Sequence, residues 1–311
     1  MDPLSDVLSL LRMTKYHSAT LSAGGHWALR FHEHDGIKFS AVVRGSHWLI
    51  VNGAKPIHLH EGDCFLLTRG QAFIVSSDAA PDEPQDPDAF VLCATEDELA
   101  WRCGGDEVLL VGARFSFVGA PANALVSILP PIVHVEKRAP EAAVLHYALE
   151  RFTAELQGRR PGGARVMEHL ANLMFVEVMR IHLDAMQDYG VGWFYALSDE
   201  KLAPVIGAIH DSPARDWSVD ELADLVRMSR SAFASRFKAI VGTPPMDYLM
   251  RWRMLIAADK LLNTDDHIAL IAFAVGYQSE SAFSTAFKRV MKVPPRQYQR
   301  GVCPPVNFPF E

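Results

Sequence analysis

Between Leu222 and Tyr298 one stretch of sequence occurs twice, and this repetition narrows the possible folds more than any other feature of the chain. From Leu222 the sequence runs through Ser231-Ala232-Phe233 and Phe237-Lys238 to Pro244-Pro245 and Tyr248. From Ile271 it runs through Ser281-Ala282-Phe283 and Phe287-Lys288 to Pro294-Pro295 and Tyr298. A repeated supersecondary unit signals repeated use of one geometry. Each copy reads as a short helix, a tight turn and a second helix.

Ser218 to Glu221 forms a capping box that opens the first helix, whose apolar stripe is Val219, Leu222, Ala223 and Val226. Ser229 is placed to cap the next helix, where Phe233 and Phe237 sit one turn apart and point inward. Arg230, Ser231, Ala234, Ser235 and Lys238 are left outside. In the second copy Gly276-Tyr277 forms the turn, Phe283 and Phe287 point inward, and Glu280, Ser281, Ser284, Thr285 and Lys288 point outward. One anchored aromatic face and one face of short polar and basic side chains is what a helix entering a DNA groove needs. A lone amphipathic helix pair is more often a plain hairpin; duplication with matched anchors favours double-stranded DNA. The segment from Met246 to Leu262 reads as a helix joining the units, with Arg251 and Arg253, like Lys238 and Lys288, available to phosphates.

On these residues, Trp217 to Arg300 resembles the double helix-turn-helix domain of the AraC/XylS family of bacterial transcription regulators. The strongest stretch is Ile271-Ala272, Gly276-Tyr277, Ser279, Ser281, Phe283, Phe287-Lys288, Pro294-Pro295 and Tyr298. The resemblance implies base contacts from Ser231, Ala234 and Ser235 in the first unit and from Glu280, Ser281, Ser284 and Thr285 in the second. Arg227 departs from the glycine at the matching turn of the second copy.

The net charge of −7 alone argues against a nucleic-acid partner, but its distribution does not. Residues 212–300 hold thirteen Lys and Arg against nine Asp and Glu, so a locally basic module sits on an acidic carrier. The N-terminus carries no secretory signal, and the most apolar stretch, Leu170 to Leu183, is too short and too charged to span a bilayer. Cys64, Cys93, Cys103 and Cys303 show neither disulfide nor zinc spacing. A reduced, cytoplasmic protein without membrane contact is expected.

From about Leu10 to Pro130, short apolar runs alternate with Gly36, Gly45, Gly53, Gly62 and Gly70, predicting a β-sandwich or barrel with an Asn52-Gly53 hairpin turn. The spacing resembles a cupin barrel, the sensor of one branch of the same family. His32-x-His34, Lys38 and Gly45 follow the first cupin motif, with lysine in place of the metal-binding glutamate. Gly62-Asp63, Thr68 and Gly70 follow the second, with Phe73 in place of its histidine. A set lacking a carboxylate and an imidazole is a poor site for a divalent metal, so no metal, no cofactor and no catalytic residue is expected. His32, His34 and Lys38 either bind an anionic effector or are rim residues. His58 and His60 share one strand face and have the same two readings.

Two helical stripes follow, Leu145 to Leu156 and Val166 to Met186, broken by Gly158-Arg159-Arg160-Pro161-Gly162-Gly163. The second is apolar over more than half its circumference. Helices at this position in cupin-type relatives of the family form the dimer contact, so a homodimer through Arg165 to Gln187 is expected, with Leu173, Val176, Met179 and Leu183 as its surface. The fold class is α+β: a cupin-like sensor (1–135), a helical connector (136–211), an all-α double helix-turn-helix domain (212–300) and a tail (301–311). The function implied is an effector- or stress-responsive transcription regulator rather than an enzyme, contacting RNA polymerase if it activates. The alternatives are a cupin enzyme with an accessory DNA domain and a constitutive architectural DNA binder.

Overall fold

The computed structural model describes residues 2–10, 13–94, 98–117, 129–138, 142–158, 160–185 and 192–302. They fall into two compact units: residues 13–116 with 129–182, and the N-terminal segment with residues 183 onward.

The first unit holds eleven strands among the described residues: β1 (Met13–Ala23), β2 (Ala28–Phe31), β3 (Ile37–Arg44), β4 (Ser46–Val51), β5 (Ile57–His60), β6 (Cys64–Leu67), β7 (Phe73–Ser76), β8 (Val91–Ala94), β9 (Glu98–Cys103), β10 (Val108–Phe117) and β11 (Ile132–Val135). They form a seven-stranded sheet, β11-β6-β3-β10-β1-β9-β8, and a four-stranded sheet, β2-β7-β4-β5. The β4–β5 hairpin turns at Asn52-Gly53, where Gly53 takes φ 80°. Between the sheets lies a core that includes Trp27, Leu29, Val42, Leu49, Phe65 and Val75. β3 does not simply alternate. Val42 faces that core, while Ile37, Phe39 and Ala41 are also fully buried, on the opposite face. Helices α2 (Ala143–Gly158) and α3 (Gly163–Ala185) belong to this unit, and Phe175 of α3 meets Phe115 of β10 at 6.0 Å between ring centroids. A strand covered on both faces reads as a continuous apolar run, as β6 does.

Helix α3 departs from its expected role in one respect. Met179 has no exposed surface and is packed within its own chain, whereas Leu173 is 38% exposed. A wide apolar stripe reports burial without saying on what. The side chain of Leu183 lies outside the described residues.

The second unit contains α1 (Pro3–Ser9), α4 (Trp193–Ser198), α5 (Leu202–Asp211), α6 (Val219–Leu225), α7 (Arg230–Val241), α8 (Pro245–Asn263), α9 (Ile268–Ala274), α10 (Glu280–Met291) and α11 (Pro295–Gln299). Helix α1, at the other end of the sequence, packs against α5. Asp6 brings a carboxylate oxygen to 3.4 Å from Nδ1 of buried His210. The His210 ring stacks on Trp252 at 3.9 Å, and its Nε2 lies 2.7 Å from the Tyr248 hydroxyl, which also accepts the Trp193 indole N–H. Burial holds His210 neutral, with its pKa lowered to about 3. Among the described residues no helix is long and apolar enough to cross a membrane.

Candidate nucleic-acid interface and barrel cavity

The duplicated module folds as two copies of one hairpin. Ser218 Oγ accepts the Glu221 N–H at 3.1 Å while the Glu221 carboxylate accepts the Ser218 N–H at 2.8 Å, so the capping box before α6 is complete. Ser229 and Ser279 cap α7 and α10, each accepting the amide three residues on. The turn after the first helix needs a left-handed residue in both copies. Arg227 supplies it at φ 55° and Gly276 at φ 87°. A second left-handed residue ends the second helix of each copy, Gly242 at φ 83° and Lys292 at φ 64°. Each copy therefore uses glycine at one stop and a cation at the other. At Gly276 nothing else fits: a Cβ would lie 2.5 Å from the Ala214 carbonyl oxygen.

Both copies are anchored by the same aromatic ladder. Phe233 meets Phe237 at 5.7 Å, and Phe237 meets Tyr248 at 5.7 Å; Phe283 meets Phe287 at 5.5 Å, and Phe287 meets Tyr298 at 5.4 Å. All four phenylalanines are fully buried. Pro245 and Pro295 start α8 and α11, where a missing N–H costs nothing and the fixed φ suits a first turn. Helix α8 has nineteen residues and is about 28 Å long. It is apolar around most of its girth because the flanking helices pack along it.

The outward residues lie where their spacing places them. Arg230, Ser231, Ser235 and Lys238 on α7 are exposed and Ala234 is half-buried; Glu280, Ser281, Thr285 and Lys288 on α10 are exposed and Ser284 is half-buried. Two cations of α7 are already paired. Arg230 reaches Asp220 at 3.0 Å, and Arg236 reaches Asp199 at 2.6 Å. Burial alone would raise the Asp199 pKa. The Arg236 hydrogen bond and the amides of Leu202 and Lys201 outweigh it and hold the carboxyl below its ordinary value. Arg253 is not available to phosphate: its guanidinium donates to the Pro213 and Arg215 carbonyls at 2.6 and 2.8 Å, bracing the loop that Gly276 touches. Arg251 is half-buried. Exposed Arg227 precedes α7, exposed Arg289 lies in the last turn of α10 and exposed Lys292 follows it; only the glycine mismatch at Arg227 marked any of them in the sequence.

In the barrel, two departures from the cupin motifs meet. The Lys38 ammonium lies 5.1 Å from the Phe73 ring and 5.2 Å from Phe31, which stacks on Phe73 at 4.9 Å. A cation over two ring faces stands where the motif would bring a glutamate and a histidine together, and these residues do not fit a divalent metal. His34 belongs to this group: its ring meets Phe73 edge-on, and burial with Lys38 beside it lowers its pKa to about 4. His32 does not join them. It is exposed and sits 3.4 Å from Asp86. His58 is stacked on Trp48 at 4.5 Å and exposed, as is His60. Cys64 and Cys103 are buried free thiols whose pKa burial raises, so neither is poised as a thiolate.

Residues 2–184 match a family model described as Cupin, and residues 222–301 match one described as Helix-turn-helix domain. Over 96% of its length and 98% of the relative's, the chain is 44% identical to a protein of Streptomyces lividans named as an AraC-like transcription regulator. A Streptomyces antibioticus protein of the same description is 43% identical over 98% of this chain and 100% of its own. The HTH-type transcriptional regulator AlkR of Acinetobacter baylyi is 29% identical over 96% of this chain and 99% of its own. The chain belongs to the AraC-like transcription regulators, with a cupin region at its N-terminus and a helix-turn-helix domain at its C-terminus.

Proposed function

We propose that this protein binds double-stranded DNA through α7 and α10 and controls transcription in response to a small molecule received by the barrel. The observation that supports the DNA reading most directly is the matched exposure of the two helices. Arg230, Ser231, Ala234, Ser235 and Lys238 face outward on one, and Glu280, Ser281, Ser284, Thr285 and Lys288 on the other, over identical aromatic anchors. Successive major-groove faces lie about 34 Å apart, and a rigid connecting helix of about 28 Å suits a pair of readers on one side of a duplex. Fluorescence anisotropy with duplex DNA from upstream of the protein's own gene tests this. Affinity should fall steeply with salt, and Lys238→Ala or Lys288→Ala should each lower the slope of log affinity against log salt by about 1. Binding that is indifferent to both salt and sequence refutes it.

Signal reception would involve His34 and Lys38, which both contact the Phe73 ring, rather than His32. A homodimer is the second part of the proposal. The exposed apolar residues Val144 and Tyr147 on α2 and Val166 and Leu173 on α3 are its candidate surface, in place of enclosed Met179. Charge at Tyr147 and Leu173 together should give a folded monomer by sedimentation and weaken operator binding about 100-fold or more, through loss of effective concentration. A wild-type chain that sediments as a monomer with and without operator ends the dimer reading. The place of action is the cytoplasm, and RNA polymerase is the further partner if the protein activates.

A further inference from the structure

Lys38 carries a positive charge onto the inner face of the barrel without a countercharge. Among the described residues no carboxylate lies within ion-pair distance of it, and no hydrogen-bond acceptor meets its nitrogen. Its direct partner across the β3–β10 ladder is a second cation, Arg114, whose Nε is enclosed without a hydrogen-bond partner. The faces of Phe31 and Phe73 compensate the ammonium only in part. An enclosed charge is costly unless an opposite charge comes with it. Burial first, and Arg114 second, lower the Lys38 pKa to about 8, so the side chain still holds its proton at neutral pH.

The space beside Lys38 is a cavity between the two sheets. Phe31, Phe73, Trp101, Ser40 and Gly112 line it with Lys38, and no acidic side chain does among the described residues. Its cause lies in the sequence. Ser40 and Gly112 face each other across the same ladder, and neither carries a side chain long enough to fill the gap. Position 112 tolerates nothing larger, because a Cβ there would lie 2.3 Å from the Phe39 carbonyl oxygen. Trp101 is a second donor in the wall, its indole N–H enclosed without an acceptor. The volume is about 30 Å³, on a scale where one water needs about 10–15 Å³. A monatomic ion or a few waters fit there, and an organic body does not.

Water would satisfy the indole N–H and leave the charge uncompensated. A small spherical anion does both, since it accepts from an ammonium and an indole N–H at once and brings no donor of its own to be satisfied. We infer that the cavity holds one monatomic halide, chloride in ordinary salt, with the Lys38 ammonium and the Trp101 indole N–H as its ligands. Arg114 stays outside the lining and contributes through its charge, which the weak screening of the interior carries over a longer distance than water would. The ion is a fixed part of the barrel core. This goes beyond the signal-receiving role proposed above and does not depend on it.

Thermal unfolding of the full chain at constant ionic strength, with chloride replaced stepwise by the bulky anion gluconate, tests the inference. Chloride should raise the wild-type midpoint saturably, by about 3–6 °C at roughly ten times its dissociation constant, and bromide should act likewise. Lys38→Met should remove the dependence on chloride. Ser40→Val, which keeps every charge and fills the cavity, should remove it too, and Trp101→Phe should weaken chloride binding at least threefold. Circular dichroism identifies any variant that has lost its fold. Anomalous diffraction from wild-type crystals grown in bromide gives a reading that needs no variant, an ordered bromide in contact with Lys38 Nζ. A midpoint indifferent to chloride, a rise of equal size in wild type and folded Lys38→Met, or a cavity that holds only water in the bromide crystal would each overturn it.

Discussion

Replacing Phe287 with alanine is expected to destabilise the C-terminal unit by about 3–5 kcal/mol, a large part of the about 5–15 kcal/mol that holds a domain folded. Phe287 is fully enclosed between Phe283 and Tyr298, so truncation leaves a cavity whose other walls are held by α8 and α11 and cannot collapse freely. Ser281→Glu and Thr285→Glu on the same helix should behave oppositely. Both side chains are exposed, so stability should change by no more than about 0.5 kcal/mol. Each places a bulky carboxylate where a base contact is proposed and should weaken specific DNA binding by about 10- to 100-fold. Thermal unfolding and anisotropy on the three variants settle the assignment of faces; equal loss of stability in all three would show that α10 is oriented otherwise.

Gly276→Ala should be nearly as damaging, although it adds one methyl group. The residue sits at φ 87°, where an L side chain costs about 1–2 kcal/mol. The new Cβ would also lie 2.5 Å from the Ala214 carbonyl oxygen, in a loop that Arg253 pins from the other side. Backbone held on both sides relaxes poorly, and overpacking adds about 1–3 kcal/mol. The expected total is about 2–5 kcal/mol. Lys292→Gly should go the other way, stabilising by a few tenths to about 1 kcal/mol, because it relieves a left-handed lysine and gives up only an exposed hydrogen bond from its ammonium to the Arg289 carbonyl. Chemical denaturation of the two variants tests this pair, and a Gly276→Ala protein as stable as wild type would contradict the account of the turn.

The helical module was legible in the sequence because its determinants are local. Phenylalanines one turn apart, a serine cap and a proline pair each constrain a few neighbouring residues, and duplication confirms the phase. What escaped was the destination of long side chains. Arg253 lies on a helix among apolar residues, and nothing in that pattern tells a phosphate ligand from a brace on a neighbouring loop. Met179 illustrates the same limit for burial, since a wide apolar stripe does not name the surface that covers it. In the barrel, the motif spacing identified Lys38 and Phe73 as departures, but their contact depends on strands remote in sequence. Arg114 and Trp101 gave no local signal at all. Only the β3–β10 register places a second cation beside Lys38.

The pairing of Arg230 with Asp220 and of Arg236 with Asp199 makes the two recognition helices unequal partners in an encounter with DNA. On α7 a phosphate approaching Arg230 or Arg236 would exchange one anion for another and release little long-range attraction, and Lys238 is the exposed cation of that helix outside the described ion pairs. On α10, Lys288, Arg289 and Lys292 have no carboxylate of their own within reach among the described ion pairs, and their field extends into solvent. If both helices meet the duplex as proposed, the cations of the second would act at longer range and the paired arginines of the first only after contact.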